Sequence, residues 1–272
     1  MFKVAVLNLK GGIGKTTTAT SLAHILAVNM GKKVLLIDCD MQGNASKIYD
    51  RHNQEGTGTH SVMNGSKDVN LTIQGTGYAW DKGTAAEGGK LHIIPTNMYL
   101  MQANAEVLTD TENEQLHRLE TAVNNIRFEN YDFIIFDCAL GLDMTVLNAI
   151  VAADMVIAPL PFGGYELDGL NELNEQLEDI RALNPGLRLK VLFTMRQGNK
   201  TKREFETWIK SESGYDVFEN TVRRSVIVQR ATVERKPLPE YSKRGVATQD
   251  YKLVAFELIE DARKHEKERS DL

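Results

Sequence analysis

Cysteine is scarce in this sequence, whose 272 residues include only Cys39 and Cys138. Two thiols cannot build a disulfide framework or a four-cysteine zinc site, so the fold must be held by an apolar core. Aromatic residues (7%) and prolines (6 residues) are also few, whereas 42% of the residues are hydrophobic and 25% are charged. This composition is typical of a globular protein with little disorder.

Long hydrophobic runs are missing as well. No stretch of about eighteen apolar residues occurs, which excludes a transmembrane helix. The N-terminal segment 1–8, MFKVAVLN, becomes polar too early for a signal peptide. We therefore expect a cytoplasmic protein without stable membrane association.

The net charge of −5 conceals an uneven distribution of charged residues. Residues 187–236 contain twelve Lys or Arg against six Asp or Glu, a local charge of +6, which leaves −11 on the remainder. Such separation of charge indicates either a basic surface on an otherwise acidic protein or simply solvated helix faces.

Short apolar runs alternate along the chain with segments of helical periodicity. This alternation predicts right-handed βαβ units, and therefore a single α/β domain over residues 1–272 with a mostly parallel central sheet flanked by helices on both faces. The predicted strands are 3–7, 33–38, 91–94, 133–137, 155–158 and 189–194. The predicted helices are 16–30, 113–127, 166–183 and 201–212, with a C-terminal helix at about 248–268.

One segment interrupts this rhythm. Residues 56–90 are rich in glycine and show little periodicity, which favours a loop-rich excursion on the surface of the domain.

A glycine-rich loop connects the first predicted strand to the first predicted helix. Its sequence, KGGIGKTT at 10–17, is a modified form of the phosphate-binding loop G-x-x-x-x-G-K-[ST]. Glycines let the backbone N–H groups turn towards phosphates, and the N-terminus of the following helix favours negative charge. The predicted phosphate ligands are Gly11, Gly12, Ile13, Gly14, Lys15, Thr16 and Thr17, with Lys15 on the β- and γ-phosphates and the Thr16 hydroxyl on Mg²⁺.

Three aspartates follow apolar strands at the positions where such a site needs them. Asp38 and Asp40 lie at the end of the second strand, and Asp137 ends the strand at 133–137. In an open parallel sheet the ligand lies at the carboxyl ends of the strands. The three carboxylates are therefore predicted to meet there, to hold Mg²⁺ through water and to orient a nucleophile.

These motifs together resemble the ParA/MinD superfamily. The loop at 10–17 is similar to its deviant Walker A motif, DCDMQGNA at 38–45 to the D-x-D-P-Q-G-N segment of ParA proteins, and YDFIIFDC at 131–138 to their Walker B region. The similarity continues through 147–149, 152–159, 169–170 and 237–241 into the last helix.

The resemblance implies a catalytic cycle. Members of the family use ATP and Mg²⁺ to form a sandwich homodimer with two nucleotides at the interface. Lys10 is then expected to reach the nucleotide of the partner and to stabilise charge in the transition state. Asp40 is expected to position the attacking water, Asp38 and Asp137 to hold the magnesium shell, and Thr17 to add a phosphate contact.

The same resemblance suggests the adenine contacts. In the family, residues at the end of a late strand and in a following loop pack on the base. Thr194, Met195 and Arg196 end such a strand here, and the loop near Arg223 and Pro237 could close over it. Met195, Arg196 and Pro237 are therefore predicted to contact the nucleotide.

ATP-bound dimers of ParA relatives bind DNA without sequence preference, and a ParB-like centromere-binding protein stimulates hydrolysis and release. The basic segment 187–236 agrees with that role, because Lys and Arg that neutralise phosphates supply sequence-independent affinity. The predicted DNA contacts are Arg223 and Arg224 first, followed by Lys210, Arg230, Arg235 and Lys236.

We therefore expect an ATPase of weak basal rate that segregates plasmid or chromosomal DNA at the nucleoid, without the N-terminal operator-binding domain of longer ParA proteins. Four alternatives remain. A MinD-like spatial regulator would need an apolar face in the last helix, and an iron–sulfur carrier would need bridging cysteines. A positioning ATPase for a non-DNA cargo would share the active site, as would a nucleotide-gated scaffold with negligible turnover.

Overall fold

The structure, a computed structural model, describes residues 1–79, 88–162, 164–198 and 200–271, and it leaves out the side chains of residues 164–166 and 200–203. Within those ranges the strands form one eight-stranded sheet in the order β3-β4-β2-β5-β1-β6-β7-β8. The strands are β1 (Phe2–Val6), β2 (Lys33–Cys39), β3 (Gln74–Ala79), β4 (Lys90–Ile94), β5 (Phe133–Cys138), β6 (Met155–Leu160), β7 (Arg188–Phe193) and β8 (Asp216–Val217).

All neighbouring strands of this sheet run parallel except β3, which pairs antiparallel with β4. The central strands are buried on both faces and are therefore continuously apolar rather than alternating. The predicted mostly parallel α/β sheet is confirmed.

Helices cover both faces of the sheet. They are α1 (Lys15–His24), α2 (Asn44–Ile48), α3 (Thr59–Met63), α4 (Tyr99–Thr109), α5 (Arg118–Asn124), α6 (Met144–Ala152), α7 (Gly164–Arg181), α8 (Lys200–Glu212), α9 (Val226–Val233), α10 (Leu238–Tyr241) and α11 (Val246–Ser270). A π-helical turn, Ile25–Asn29, continues α1.

Two apolar clusters separate the layers. Ala5 and Leu7 point to the face where α4 to α7 pack, whereas Val4 and Val6 point to the face covered by α1 and by α9 to α11. This alternation along one strand is what places helices on both sides of the sheet.

Several elements differ from the sequence-based expectation. The stretch 56–90 is not simply a loop: it contains α3, a 3₁₀ turn at Val69–Leu71 and the edge strand β3, while residues 80–87 lie outside the described part. Helix α5 begins at Arg118 rather than at 113, because the Asp110 carboxylate accepts backbone hydrogen bonds from Glu112 and Asn113 and holds a turn there. Helices α2, α4, α9 and α10 and the two-residue strand β8 were not expected.

Among the described residues, no helix combines the length and the apolar character that crossing a membrane requires.

Candidate nucleotide-binding site

The loop between β1 and α1 is open and shaped by glycine. Gly12 and Gly14 have φ angles of 73° and 95°, in the left-handed region that glycine adopts without strain. A Cβ atom at either position would have no atom within 4 Å, so the loop borders open space. Helix α1 starts directly after Gly14 and has no acidic residue in its first turn, so its N-terminal N–H groups are available to an anion.

The Lys15 side chain is held by the loop itself. Its ammonium donates hydrogen bonds to the backbone oxygens of Asn8 (3.0 Å) and Lys10 (2.8 Å). Burial lowers the pKa of Lys15, and the nearby carboxylates of Asp137 and Asp40 oppose that shift. Lys15 thus lies between the loop and the acidic strand ends, as expected for a ligand of the terminal phosphates.

Asp38 and Asp137 occupy equivalent positions on the adjacent strands β2 and β5, where they are Cα partners in the parallel register. Both side chains are completely buried. Asp38 accepts hydrogen bonds through one oxygen from the Ser46 N–H (2.8 Å) and hydroxyl (2.6 Å), and through the other from the Asp40 N–H (3.2 Å). Burial raises the pKa of Asp38 to about 6 despite the Ser46 hydrogen bonds.

Asp137 is the less satisfied member of this pair. Burial, together with the negative charge of Asp38, raises the pKa of Asp137 well above its usual range. The Thr16 side chain and the Lys15 charge oppose the rise, but neither Asp137 oxygen has a hydrogen-bond partner of ordinary geometry. A carboxylate left in this state is suited to a cation or its water shell.

The donor set also suits magnesium in particular. Among the described residues, no three or more His, Cys, Asp or Glu side chains converge closely enough to hold a metal ion by themselves. Magnesium does not need such a cage, because it is usually bound by one or two carboxylates together with waters and substrate phosphates. Thr16, Asp38 and Asp137 therefore fit a magnesium ion that arrives with a nucleotide.

Asp40 lies just outside the buried pair and is partly exposed. One of its oxygens accepts a hydrogen bond from the Gln42 N–H at 2.9 Å, and its backbone oxygen accepts another from the Gly43 N–H at 2.7 Å. The turn after β2 thereby fixes the carboxylate at the carboxyl end of the strand, where it can orient a water molecule.

Asn8 is a site residue that sequence reasoning missed. Its side chain is 1% exposed; its amide nitrogen donates to the Pro159 backbone oxygen (2.9 Å), and its amide oxygen accepts from the Lys10 N–H (3.1 Å). Asn8 thus joins the end of β6 to the phosphate loop. Its position immediately after a buried apolar strand was the available signal, because a buried amide must find hydrogen-bond partners.

A cavity of about 380 Å³ opens beside the phosphate loop. Met195, which was predicted to contact the nucleotide, borders this cavity and has a φ angle of 52°, which is unusual for a residue with a side chain. The Thr194 hydroxyl donates to the Ile13 backbone oxygen (3.1 Å) and ties β7 to the loop. Further lining residues that were not assigned to the nucleotide are Gln197, Val222, Ser225, Val226, Gln229 and Tyr251.

Two predicted base contacts lie elsewhere. Pro237 is buried at the start of α10 and does not line this cavity. The Arg196 guanidinium pairs with Glu206 at 2.8 Å, and its side chain borders a neighbouring depression instead. The segment that closes over the cavity is 222–229, which includes the start of α9, rather than the turn at Pro237.

Comparison with known proteins agrees with this geometry. A family model described as an AAA domain, AAA_31, matches residues 1–189. The chromosome partitioning protein ParA of Caulobacter vibrioides is 31% identical over 261 residues, which cover 94% of this chain and 93% of ParA. The chromosome-partitioning ATPase Soj of Thermus thermophilus is also 31% identical over 261 residues, which cover 94% of this chain and 95% of Soj. The chain belongs to the ParA family.

The fold of this ParA-family chain is similar to that of an enzyme whose structure was solved with a bound nucleotide. Cobyrinic acid a,c-diamide synthase from Mycobacterium smegmatis, with bound ADP and magnesium, superposes with a TM-score of 0.77 at 23% identity over 95% of this chain and 94% of the synthase. At that identity the likeness establishes the shared architecture.

The six basic residues predicted to contact DNA fall into two groups. In the first group, each side chain is paired with a carboxylate. The Arg223 guanidinium forms two hydrogen bonds to Asp250, at 2.9 Å and 2.6 Å. Lys210 contacts Glu219, and Lys236 contacts Glu234 at 3.2 Å. Arg224, Arg230 and Arg235, in contrast, are exposed and have no ion pair with any described residue.

Location distinguishes the exposed arginines further. Arg224 borders the cavity beside the phosphate loop. Arg230 lies on α9 and Arg235 just beyond its end. In this ParA-family chain, α9 therefore connects the wall of the nucleotide cavity to the exposed basic residues.

Proposed function

We propose that the protein is a Mg-ATP-dependent ATPase that dimerises on nucleotide, binds DNA without sequence preference, and segregates plasmid or chromosomal DNA together with a ParB-like partner. The observation that carries this proposal is the open phosphate loop whose lysine lies near the buried Asp137, which is the register partner of the equally buried Asp38. Membership of the ParA family supports the biological role.

Nucleotide binding follows from the loop and Lys15. Backbone N–H groups of residues 11–16 bind the phosphates, and the Lys15 ammonium exchanges its contacts with the Asn8 and Lys10 oxygens for phosphate oxygens. The adenine base enters the cavity beside Met195. Binding therefore replaces two backbone hydrogen bonds of a half-buried ammonium with charge-assisted hydrogen bonds to phosphate.

Thr16, Asp38 and Asp137 would hold the magnesium ion, which would supply positive charge near the phosphates of the nucleotide. Asp40 orients the attacking water, because its carboxylate is fixed by the Gln42 N–H at the same edge of the sheet. An aspartate held this way contributes by positioning the water within reach of the terminal phosphate.

Two subunits are needed to complete the site. Lys10 lies in the loop that follows the first strand, and it acts on the nucleotide of the partner subunit, where its charge stabilises the transition state. Mixing two inactive variants tests whether Lys10 and Asp40 of one site come from different subunits. Lys10→Ala subunits retain their own Asp40, and Asp40→Ala subunits retain Lys10.

The mixture should regain part of the ATP turnover that each variant lacks alone, because one site of the mixed dimer has both groups. A mixture as inactive as its components would mean that each site takes Lys10 and Asp40 from the same subunit, and it would overturn the proposed division between subunits. Lys264→Ala, which changes an exposed residue of α11, serves as a control that should behave as wild type.

DNA binding is assigned to the basic surface formed by Arg224, Arg230 and Arg235. Because α9 begins at the nucleotide cavity, closure of segment 222–229 over ATP repositions these charges. The DNA-bound state is thereby coupled to nucleotide, and a partner that stimulates hydrolysis releases the protein from the nucleoid.

A further inference from the structure

The side chain of Lys10 lies against a glycine of α7. A Cβ atom placed on Gly169 would lie 2.9 Å from Lys10 Cε, 3.2 Å from Cγ and 3.5 Å from Cδ. Real Cβ atoms essentially never approach another carbon to within 3.0 Å, so any larger residue at position 169 would displace the Lys10 stem. Three consecutive groups of that stem thus pass over bare helix backbone.

Glycine at position 169 lowers the stability of the helix, so we expect it to have a structural or functional reason. Gly169 lies in the interior of an 18-residue helix, and glycine there is less favourable than alanine because it loses more conformational freedom on folding. Gly169 is buried, between the exposed Asp168 and the fully buried Leu170, so it lies at the edge of the face that α7 packs on the sheet. The three atoms nearest to the position of the missing side chain all belong to Lys10.

The backbone of Lys10 is fixed as well. Its N–H donates to the Asn8 amide oxygen at 3.1 Å, and its carbonyl accepts from the Lys15 ammonium at 2.8 Å. With the backbone held by the phosphate loop and the stem held by α7, the direction of the Lys10 side chain depends on the surface at Gly169.

Helix α7 is in turn attached to the nucleotide cavity. Pro161 and Phe162, immediately before the helix, line the cavity wall. The helix that seats Lys10 and the wall that meets the nucleotide are therefore consecutive in the chain.

We propose that Gly169 is a positioning residue for Lys10, whose stem is seated in the gap that the missing side chain leaves in α7. This inference rests on the proposed function, because it assigns Gly169 to the same hydrolytic step as Lys10. Gly169 itself touches no reacting atom; it acts by limiting where the Lys10 ammonium can go.

A double-mutant cycle on stability tests the contact. In the Lys10→Ala chain the stem is gone, so Gly169→Ala should stabilise α7 in the ordinary way and raise the Tm by about 1–4 °C. In the otherwise wild-type chain the same substitution should give no gain, or a loss, because the methyl group meets the stem. An equal Tm gain in both backgrounds would show that the two residues do not interact and would overturn the proposal.

Turnover measurements test the positioning role. Gly169→Ala should lower kcat for ATP about 10-fold or more, because misplacement of a reacting group by about 1 Å has effects of that order. The Kd for ATP should not change, because Lys15 and the glycines of the loop are untouched. Gly186→Ala is a matched control: a Cβ there has no atom nearer than 3.8 Å, so both kcat and Kd should match the wild type.

The outcomes separate this inference from the proposed function. If Lys10→Ala keeps wild-type turnover, the assigned role of Lys10 is wrong and the positioning role of Gly169 fails with it. If Lys10→Ala abolishes turnover while Gly169→Ala keeps the wild-type kcat, the proposed function stands and the Gly169 proposal alone is overturned.

Discussion

Asp38 and Asp137 lie directly beside each other on adjacent parallel strands, and both carboxyl groups are completely buried. Burial raises the pKa of each carboxyl group, and the negative charge of Asp38 raises the pKa of Asp137 further, because two like charges in a desolvated position are unfavourable. A bound cation removes the repulsion. The Asp38–Asp137 pair therefore destabilises the nucleotide-free protein, and bound magnesium and nucleotide remove this destabilisation.

Replacement of the unsatisfied carboxylate should consequently stabilise the nucleotide-free protein. Asp137→Asn, measured without nucleotide and in the presence of EDTA, should raise the Tm at pH 7.5 by a few degrees, since about 1 kcal/mol corresponds to roughly 2–4 °C at this chain length. A carboxyl group whose pKa is raised on folding contributes its stability below the unfolded pKa and loses it as the pH rises through the folded value. The gain from Asp137→Asn should therefore shrink as the pH is lowered towards 4.

Thermal scans at several pH values check this prediction, with Asp271→Asn, at an exposed position near the C-terminus, as the control. A Tm gain that is independent of pH, or a loss at pH 7.5, would contradict the account of the buried pair. ATP turnover of Asp137→Asn should be lost even though the protein is more stable.

Loss of the Lys15 ammonium should abolish nucleotide binding. Lys15→Ala removes charge-assisted hydrogen bonds to phosphate, each worth about 1.5–3 kcal/mol, so the Kd for ATP should rise at least about 100-fold. Isothermal titration calorimetry measures this directly, with Lys264→Ala as a charge-matched control on α11. Unchanged affinity would show that the loop does not bind the nucleotide.

Asp40→Ala should separate binding from hydrolysis. The substitution leaves Lys15 and the Asp38–Asp137 pair in place, so ATP binding and nucleotide-dependent dimerisation should persist while turnover stops. Light scattering in the presence of ATP measures dimerisation, and a phosphate-release assay measures turnover. Turnover at the wild-type rate would remove Asp40 from the mechanism.

Charge reversal on α9 should weaken DNA binding selectively. Arg230→Glu combined with Arg235→Glu reverses two exposed charges without breaking an ion pair between described residues. The DNA affinity should fall, and the slope of log K against log salt should decrease by about one for each phosphate contact removed. Basal ATP hydrolysis should not change.

Arg263→Glu with Lys264→Glu, on the exposed face near the end of α11, is the control for net charge. If the control weakens DNA binding as much as the α9 variant, the DNA surface is elsewhere. Arg223→Glu is a poorer test, because it would leave the buried Asp250 without its ion-pair partner and so disturb the fold.

The parallel sheet and the phosphate loop were predictable because their signals are local. The short apolar run Val34–Ile37 between polar ends suits a strand covered on both faces, and the glycines before Lys15 follow a strand directly. Register between strands then brought Asp38 and Asp137 together without further information, because both end their strands at the same edge of the sheet.

The remaining features could not be predicted because they depend on contacts between residues distant in sequence or on segments with a weak hydrophobic pattern. Strand β3 contains two glycines and no apolar run, and it is held by backbone pairing at the sheet edge and by the bond from the Thr76 hydroxyl to the Leu91 oxygen. Arg223 finds Asp250, 27 residues away, through tertiary folding that no spacing reveals. Likewise, the contact between Lys10 and Gly169 joins residues that are remote in sequence.

Nucleotide-dependent DNA binding can be measured by the fluorescence anisotropy of a random-sequence duplex, titrated with the protein in ATP-Mg²⁺, in ADP-Mg²⁺ and without nucleotide, at two salt concentrations. We expect strong binding in ATP-Mg²⁺ alone, weakened by salt and by the double reversal of Arg230 and Arg235. Equal DNA affinity in all three nucleotide states would contradict the proposed control of DNA binding by ATP. If no DNA binding is measured in any state, the protein does not act on DNA, and its cargo must be another partner.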